Sequence, residues 1–190
     1  MQIPIGVSNR HIHLTREHVD QLFGDNYDLN IKKELSQPGE FAAEETVTIK
    51  TEKSEIAKVR ILGPMRKLTQ IEISKTDAFH LGIAPPIRPS GKIEGTPGIT
   101  IIGPKGEITI DQGVIIAERH IHMTPNEAKT YGVVDGQYVS VKVEGERELI
   151  FHQVLIRVKD TYALDMHIDT DEANAAGLKT GDKGELLKLE

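Results

Sequence analysis

"NRHIHLT" runs from Asn9 to Thr15, and "ERHIHMT" runs from Glu118 to Thr124. The tetrapeptide Arg-His-Ile-His recurs unchanged, each copy followed by a hydrophobe and a threonine. The chain has only 8 His, and half of them stand here. The repeat decides the reading of the fold, because it divides the chain into two copies of one unit. A short helix is predicted after each copy. Thr15 opens "TREHVDQLFG", closed by Gly24, and Thr124 opens "TPNEAKTYG", closed by Gly132. Thr124, Pro125 and Glu127 supply an N-cap, a first-turn proline and a capping-box partner, and the closing glycine supplies a left-handed cap.

A second block repeats in the same register. "EISKTDAFHLGI" begins at Glu72 and "HIDTDEANAAGL" at His167, aligning Ile73 with Ile168, Asp77 with Glu172, Ala78 with Ala173 and Gly82 with Gly177. Each reads as a strand end passing into a capped helix. Ser74 with Asp77, and Asp169 with Glu172, have capping-box spacing. Glu72 and His167 occupy the same place in the two copies.

Between the blocks the pattern is β. "TVTIKT", "AKVRIL", "QIEIS", "QYVSVKV", "HQVLIRV" and "ALDMHID" alternate or are rich in branched residues. "GPKGE" and "VEGER" read as hairpin turns. "GIAPPIRPSGKIEGTPG", Gly82 to Gly98, is too dense in Pro and Gly for a helix or a central strand, and is expected to connect the halves or to form a ligand loop. Many short strands, few short helices and a duplication predict a mainly β fold, two β-barrel domains capped by short α-helices.

The 190 residues bury a substantial core, and with 4% aromatics that core must be mostly Ile, Val and Leu. A net charge of -6 offers no basic field for nucleic acid. The lack of Cys excludes disulfides, thiolate metal sites and a cysteine nucleophile. No apolar run is long enough to span a membrane as a helix, and the N-terminus lacks the charged and apolar regions of a signal peptide, so a cytoplasmic location is expected.

Histidines at i and i+2 of an extended segment face the same way and can share one metal. A catalytic metal site usually takes three protein ligands, so the third must come from another strand, and the duplication nominates it. In "QIEIS", Gln70, Glu72 and Ser74 take the face opposite Ile71 and Ile73. In "LDMHID", Asp165, His167 and Asp169 take the face opposite Leu164, Met166 and Ile168. Two three-ligand sites are predicted: His11, His13 and Glu72, and His120, His122 and His167. The competing reading is a duplication whose His are merely satisfied polar residues at a strand–helix junction. His18, His80 and His152 lack repeat equivalents and read as surface residues or as supports for the ligands.

The first copy almost fits a cupin motif, but the helix beginning at Thr15 turns Glu17 away. Thr15 and Arg16 likewise stand where a metallo-β-lactamase needs Asp and His. Of the basic residues, Arg66 and Lys67 in "GPMRK" precede the strand bearing Glu72, and Arg88 and Lys92 sit in the rigid loop. An arginine fork clasps phosphate in two bonds. Lys67, Arg88 and Lys92 read equally as solvated turn residues. Arg10 and Arg119 are candidates to anchor the His turns. No Walker loop and no Gly-x-Gly-x-x-Gly is present.

With these residues in hand, the sequence resembles the PduL-type phosphotransacylases, the phosphate propanoyltransferase family. The resemblance covers nearly the whole chain and rests on "GVSNRHIHL", "ILGPMRKLTQIEIS", "RPSGKIEGTPG", "RHIHM" and "LDMHID". It implies reversible transfer of a short acyl group, propionyl or acetyl, between coenzyme A and inorganic phosphate, giving acyl phosphate and free CoA. It implies two zinc ions per chain. One falls on His11, His13 and Glu72, with the CoA sulfur completing the shell, and one on His120, His122 and His167. Arg66 takes the position of the phosphate-binding arginine. Lys67, Arg88 and Lys92 are further candidates for substrate contact. The resemblance also implies that the first strand joins the C-terminal half. Residues 1–30 plus 113–190 then form one barrel, and 31–112 the central one. Microcompartment members begin with an extra amphipathic helix. No such extension precedes "GVSNRHIH", so a free cytosolic enzyme is expected. Exposed strand edges make a homodimer an expectation as well.

The expected mechanism is direct attack of phosphate on the thioester at a dinuclear zinc site, without an acyl-enzyme. Two alternatives use the same ligands. One is a dinuclear metal-dependent thioester or phosphoester hydrolase, and the other is a non-catalytic, metal-stabilised barrel.

Overall fold

The computed structural model describes residues 2–187 and is mainly β with four short helices. In chain order, β1 (Gln2–Ser8) and β2 (His11–His13) precede α1 (Arg16–Phe23). Next come β3 (Ile31–Glu34), β4 (Phe41–Lys50), β5 (Glu55–Gly63), β6 (Gln70–Glu72) and α2 (Lys75–Leu81). They are followed by β7 (Ile87–Arg88), β8 (Ile99–Ile102), β9 (Glu107–Ile110), β10 (Val114–Ala117), β11 (His120–Met123) and α3 (Pro125–Tyr131). The chain then forms β12 (Tyr138–Val143), β13 (Leu149–Val158), β14 (Asp165–Asp169), α4 (Thr170–Ala176) and β15 (Lys183–Leu187).

These elements gather into two compact units, one of residues 2–9, 36–38 and 118–187, the other of residues 10–35 and 39–117. The first is a closed six-stranded barrel in the order β1, β14, β11, β13, β12, β15. Its core is aliphatic: Ile3, Ile5, Ile121, Val141, Val154 and Ile156 are almost fully buried. Each such side chain stabilises the fold by about 1.5–3 kcal/mol. The second unit is a nine-stranded sheet in the order β7, β10, β6, β2, β5, β4, β8, β9, with β3 beside β4. Ile12, Leu22, Ile49, Ile61, Ile71 and Leu81 fill its core.

The duplication is visible in the pairing. β2 lies between parallel β5 and antiparallel β6, and β11 lies between parallel β13 and antiparallel β14. β10 runs parallel to β6 as β1 runs parallel to β14. The strands that lead into the two Arg-His-Ile-His segments are therefore exchanged. β1 precedes β2 in sequence but pairs with β14 and β15, while β10 precedes β11 but pairs with β6 and β7. For the same reason residues 10–30 and 113–117, expected with the C-terminal half, group with the second unit. The segment 82–98, expected to connect the halves or to form a ligand loop, lies wholly within that unit.

The units differ in closure. β15 pairs with both β12 and β1 and so completes the barrel. In the second unit β8 pairs with β4, and no strand pairing joins it to β10 among the described residues. Val114 donates to the Pro97 carbonyl at 3.0 Å, and the sheet stays a half-barrel. α1 closes over the end bearing β9: Lys105 N–H donates to the Leu22 carbonyl at 3.0 Å. A Cβ on Gly103 would fall 2.5 Å from that carbonyl oxygen, so the close approach requires glycine there.

All three predicted capping boxes are formed: Thr124 with Glu127, Ser74 with Asp77, and Asp169 with Glu172. Gly132 closes α3 at φ 71° in the left-handed region, as expected. Gly24 closes α1 at φ 111° and ψ 158°, outside that region: its N–H still bonds to the Asp20 carbonyl, but the chain then leaves extended. Among the described residues no helix is long and apolar enough to cross a membrane.

Candidate metal centres

The first cluster is assembled by strand register. His11 on β2 stands directly opposite Glu72 on β6, and His11 Nε2 lies 3.4 Å from Glu72 Oε2. His13, two residues along, faces the same way, and its ring centroid is 5.1 Å from that of His11. Its Nδ1 lies 3.2 Å from the Leu62 carbonyl. A carbonyl only accepts, so Nδ1 carries the proton and Nε2 keeps its lone pair for a ligand. Burial, then the neighbouring His11 and Arg66, lower the His13 pKa to about 3, so the ring is neutral at ordinary pH.

The second cluster repeats the plan. His120 on β11 stands directly opposite His167 on β14. The ring centroids of His120, His122 and His167 lie 4.6, 5.2 and 5.1 Å apart in pairs. His120 Nδ1 is 2.7 Å from the Glu118 carbonyl, which leaves Nε2 to face the cluster. Tyr162 lies against the His122 ring at 4.2 Å between centroids.

Two arginines hold this scaffold. Arg10 binds Asp77 with contacts of 2.7 and 2.9 Å, and Arg119 binds Glu172 at 2.7 Å. Asp77 and Glu172 are the capping-box residues of α2 and α4, the helices that follow the third-ligand strands. Each arginine thus ties the start of a histidine pair to the helix behind the third residue of its cluster, as their place in the repeat suggested. Burial pushes the Glu172 carboxyl up, against the opposing pull of Arg119. The hydrogen bond to Asp77 raises the Arg10 pKa.

Arg66 sits beside the first cluster. Its backbone N–H donates to the Leu14 carbonyl at 2.9 Å. Its guanidinium reaches Glu40 Oε1 at 3.0 Å and Ser90 Oγ at 3.2 Å, with about a third of the side chain exposed. Sequence reasoning did not nominate Glu40 or Ser90. Ser90 also accepts from Gln70, so the Pro- and Gly-rich loop is fastened to the cluster's edge. Lys67, Arg88 and Lys92 are exposed, the latter two flanking Ser90. His18 bonds Thr69 at 2.6 Å, His80 bonds Ser54 at 2.8 Å and His152 bonds Ser140 at 2.8 Å, and none of the three belongs to a cluster.

The donor sets fit a divalent metal. In each cluster three ligand atoms, one per residue, lie within 4.8 Å of one another. Imidazole nitrogen with carboxylate oxygen, or three imidazoles, are sets that zinc takes while keeping an open position. Fold and site together define a duplicated β protein with two candidate three-ligand metal centres.

The sequence pattern of phosphate propanoyltransferases matches residues 4–179. The chain is 61% identical over 181 residues to the phosphate propanoyltransferase of Thermotoga maritima, covering 95% of this chain and 86% of that one. It is 58% identical over 180 residues to that of Lachnoclostridium phytofermentans, covering 94% and 84%. Against that of Citrobacter freundii it is 54% identical over 176 residues, covering 92% and 83%. The chain belongs to the phosphate propanoyltransferase family and is an acyltransferase.

Proposed function

We propose that the protein transfers a short acyl group, propionyl or acetyl, reversibly between coenzyme A and inorganic phosphate, with one zinc ion held by each cluster. The observation that carries this reading is the pair of cross-strand three-ligand sockets, one of them flanked by Arg66, in a chain of this family. His11, His13 and Glu72 would hold one ion, and His120, His122 and His167 the other. Bound zinc supplies Lewis-acid polarisation of the thioester carbonyl and stabilises the departing thiolate.

The protein's own part is to hold a polyanion against a thioester. Arg66 grips phosphate with its fork, releasing Glu40 as it does so, and stays in place as negative charge builds on the acyl carbon's oxygen. A phosphate oxygen bonds to the acyl carbon, the carbon–sulfur bond breaks, and CoA leaves to be protonated as free thiol. Direct attack is supported by the lack of Cys. The Ser54–His80 and Ser140–His152 pairs also involve none of the six cluster residues.

The test is incubation of purified protein with propionyl-CoA and phosphate. Acyl phosphate, trapped as its hydroxamate, should appear mole for mole with free thiol. Thiol release with free acid and no acyl phosphate would replace this reading with a thioester hydrolase. A stable acyl-enzyme formed without phosphate would remove direct attack.

A further inference from the structure

On each third-ligand strand, a second polar residue stands two positions earlier on the same face: Gln70 before Glu72, and Asp165 before His167. Both are buried, Gln70 to 2% exposure and Asp165 to 6%. Their chemistries differ in the same sense as the ligands they precede. Gly91 N–H donates to Gln70 Oε1 at 2.7 Å, and because a backbone N–H only donates, this contact fixes which way the amide points. The amide nitrogen then faces Glu72, donating to its Oε1 at 2.7 Å and to Ser90 Oγ at 2.8 Å. An ionised Asp165 offers only acceptors, and its Oδ2 lies 3.1 Å from His167 Nε2. A donor backs the carboxylate and an acceptor backs the imidazole.

The space for the second pair is set by Gly6, which lies beside His167 on parallel β1. A Cβ at Gly6 would come within 3.0 Å of Asp165 Oδ2 and 3.2 Å of His167 Cδ2.

We propose that Gln70 and Asp165 are positioning residues for the two metal centres, each matched to its third ligand, and that Asp165 makes His167 coordinate through Nδ1. The proposal rests on the reading that the clusters hold metal. With the proton on Nε2 and bonded to Asp165, the lone pair of His167 is on Nδ1. His13 and His120 are arranged oppositely, each giving its Nδ1 proton to a backbone carbonyl. The Asp165 charge also makes His167 a stronger donor. Both sockets then contain one carboxylate. In one it is the ligand itself, and in the other it acts through an imidazole.

The experiment measures zinc affinity at each site by competition with a chromophoric chelator, on the full chain stripped of metal and reloaded. Asp165→Ala should lower the affinity for one ion about 10- to 100-fold and leave the other unchanged. Gln70→Ala should do the same to the other ion. His167→Glu would set two carboxylates together and lose its zinc, and adding Asp165→Gln should restore it by recreating the Gln–Glu arrangement. Long-range nitrogen–proton spectra of the zinc-loaded wild-type protein read the His167 tautomer without any substitution, and the proton should be on Nε2. Wild-type protein that takes up no zinc would overturn the metal reading and this proposal with it. Two bound zinc ions with unchanged affinity in Asp165→Ala, or His167 coordinated through Nε2, would overturn the positioning role alone.

Discussion

Glu72 lies directly across the antiparallel pair from His11, and that register brings a carboxylate distant in sequence to the His11–His13 pair, making a candidate metal socket. The same relation joins His120 to His167. If register is what builds each socket, the two should fail independently. His11→Ala or Glu72→Gln should reduce bound zinc from two ions to one, and His122→Ala should remove the other. Metal analysis after desalting reads this directly, and loss of both ions from a single substitution would contradict it.

The Arg119–Glu172 pair should matter for stability more than a surface ion pair, because Glu172 also completes a capping box and both side chains are largely shielded. Arg119→Met and Glu172→Gln are each expected to cost about 1–3 kcal/mol in urea unfolding. The double substitution should cost less than their sum, since each partner's loss leaves the other without its charge. Strict additivity would show that the two do not interact.

Helix α3 is short and depends on its cap. Thr124→Ala removes the acceptor for the Glu127 N–H and the contact with the Glu127 carboxylate. A loss of about 1 kcal/mol is expected, with an unchanged urea m-value.

Arg66 already has two polar partners, Glu40 and Ser90, so phosphate has to compete for it. Arg66→Ala should raise the KM for phosphate and lower kcat, by about 100-fold or more in kcat/KM. Glu40→Gln, by freeing the guanidinium, should lower the KM for phosphate. Alanine at exposed Lys67, Arg88 or Lys92 should change either constant little by comparison.

Much of the site was legible because its logic is local. Alternation in "RHIH", "QIEIS" and "LDMHID" placed the cluster residues on one face, and the repeat supplied the third member of each set. The same alternation already put Gln70 beside Glu72 and Asp165 beside His167, but which atom each offers is set by the folded neighbours, Gly91 and Ser90 in the first case. Glu40 and Ser90 gave no signal, since a lone Glu and a loop Ser acquire meaning only when Arg66 is brought to them. The exchange of β1 and β10 and the open side of the half-barrel are non-local. They depend on which strands meet across the chain. The Gly24 cap differed because glycine admits several positive-φ conformations, and the following chain selects among them.

Under the proposed function, two metal-loaded sockets carry out acyl transfer to phosphate. The most direct measurement is a zinc titration of metal-stripped protein while acyl phosphate formation from propionyl-CoA and phosphate is followed. No transfer is expected at the start, and full activity only as the second equivalent binds. Full activity in the stripped protein, or a plateau at one equivalent, would contradict it.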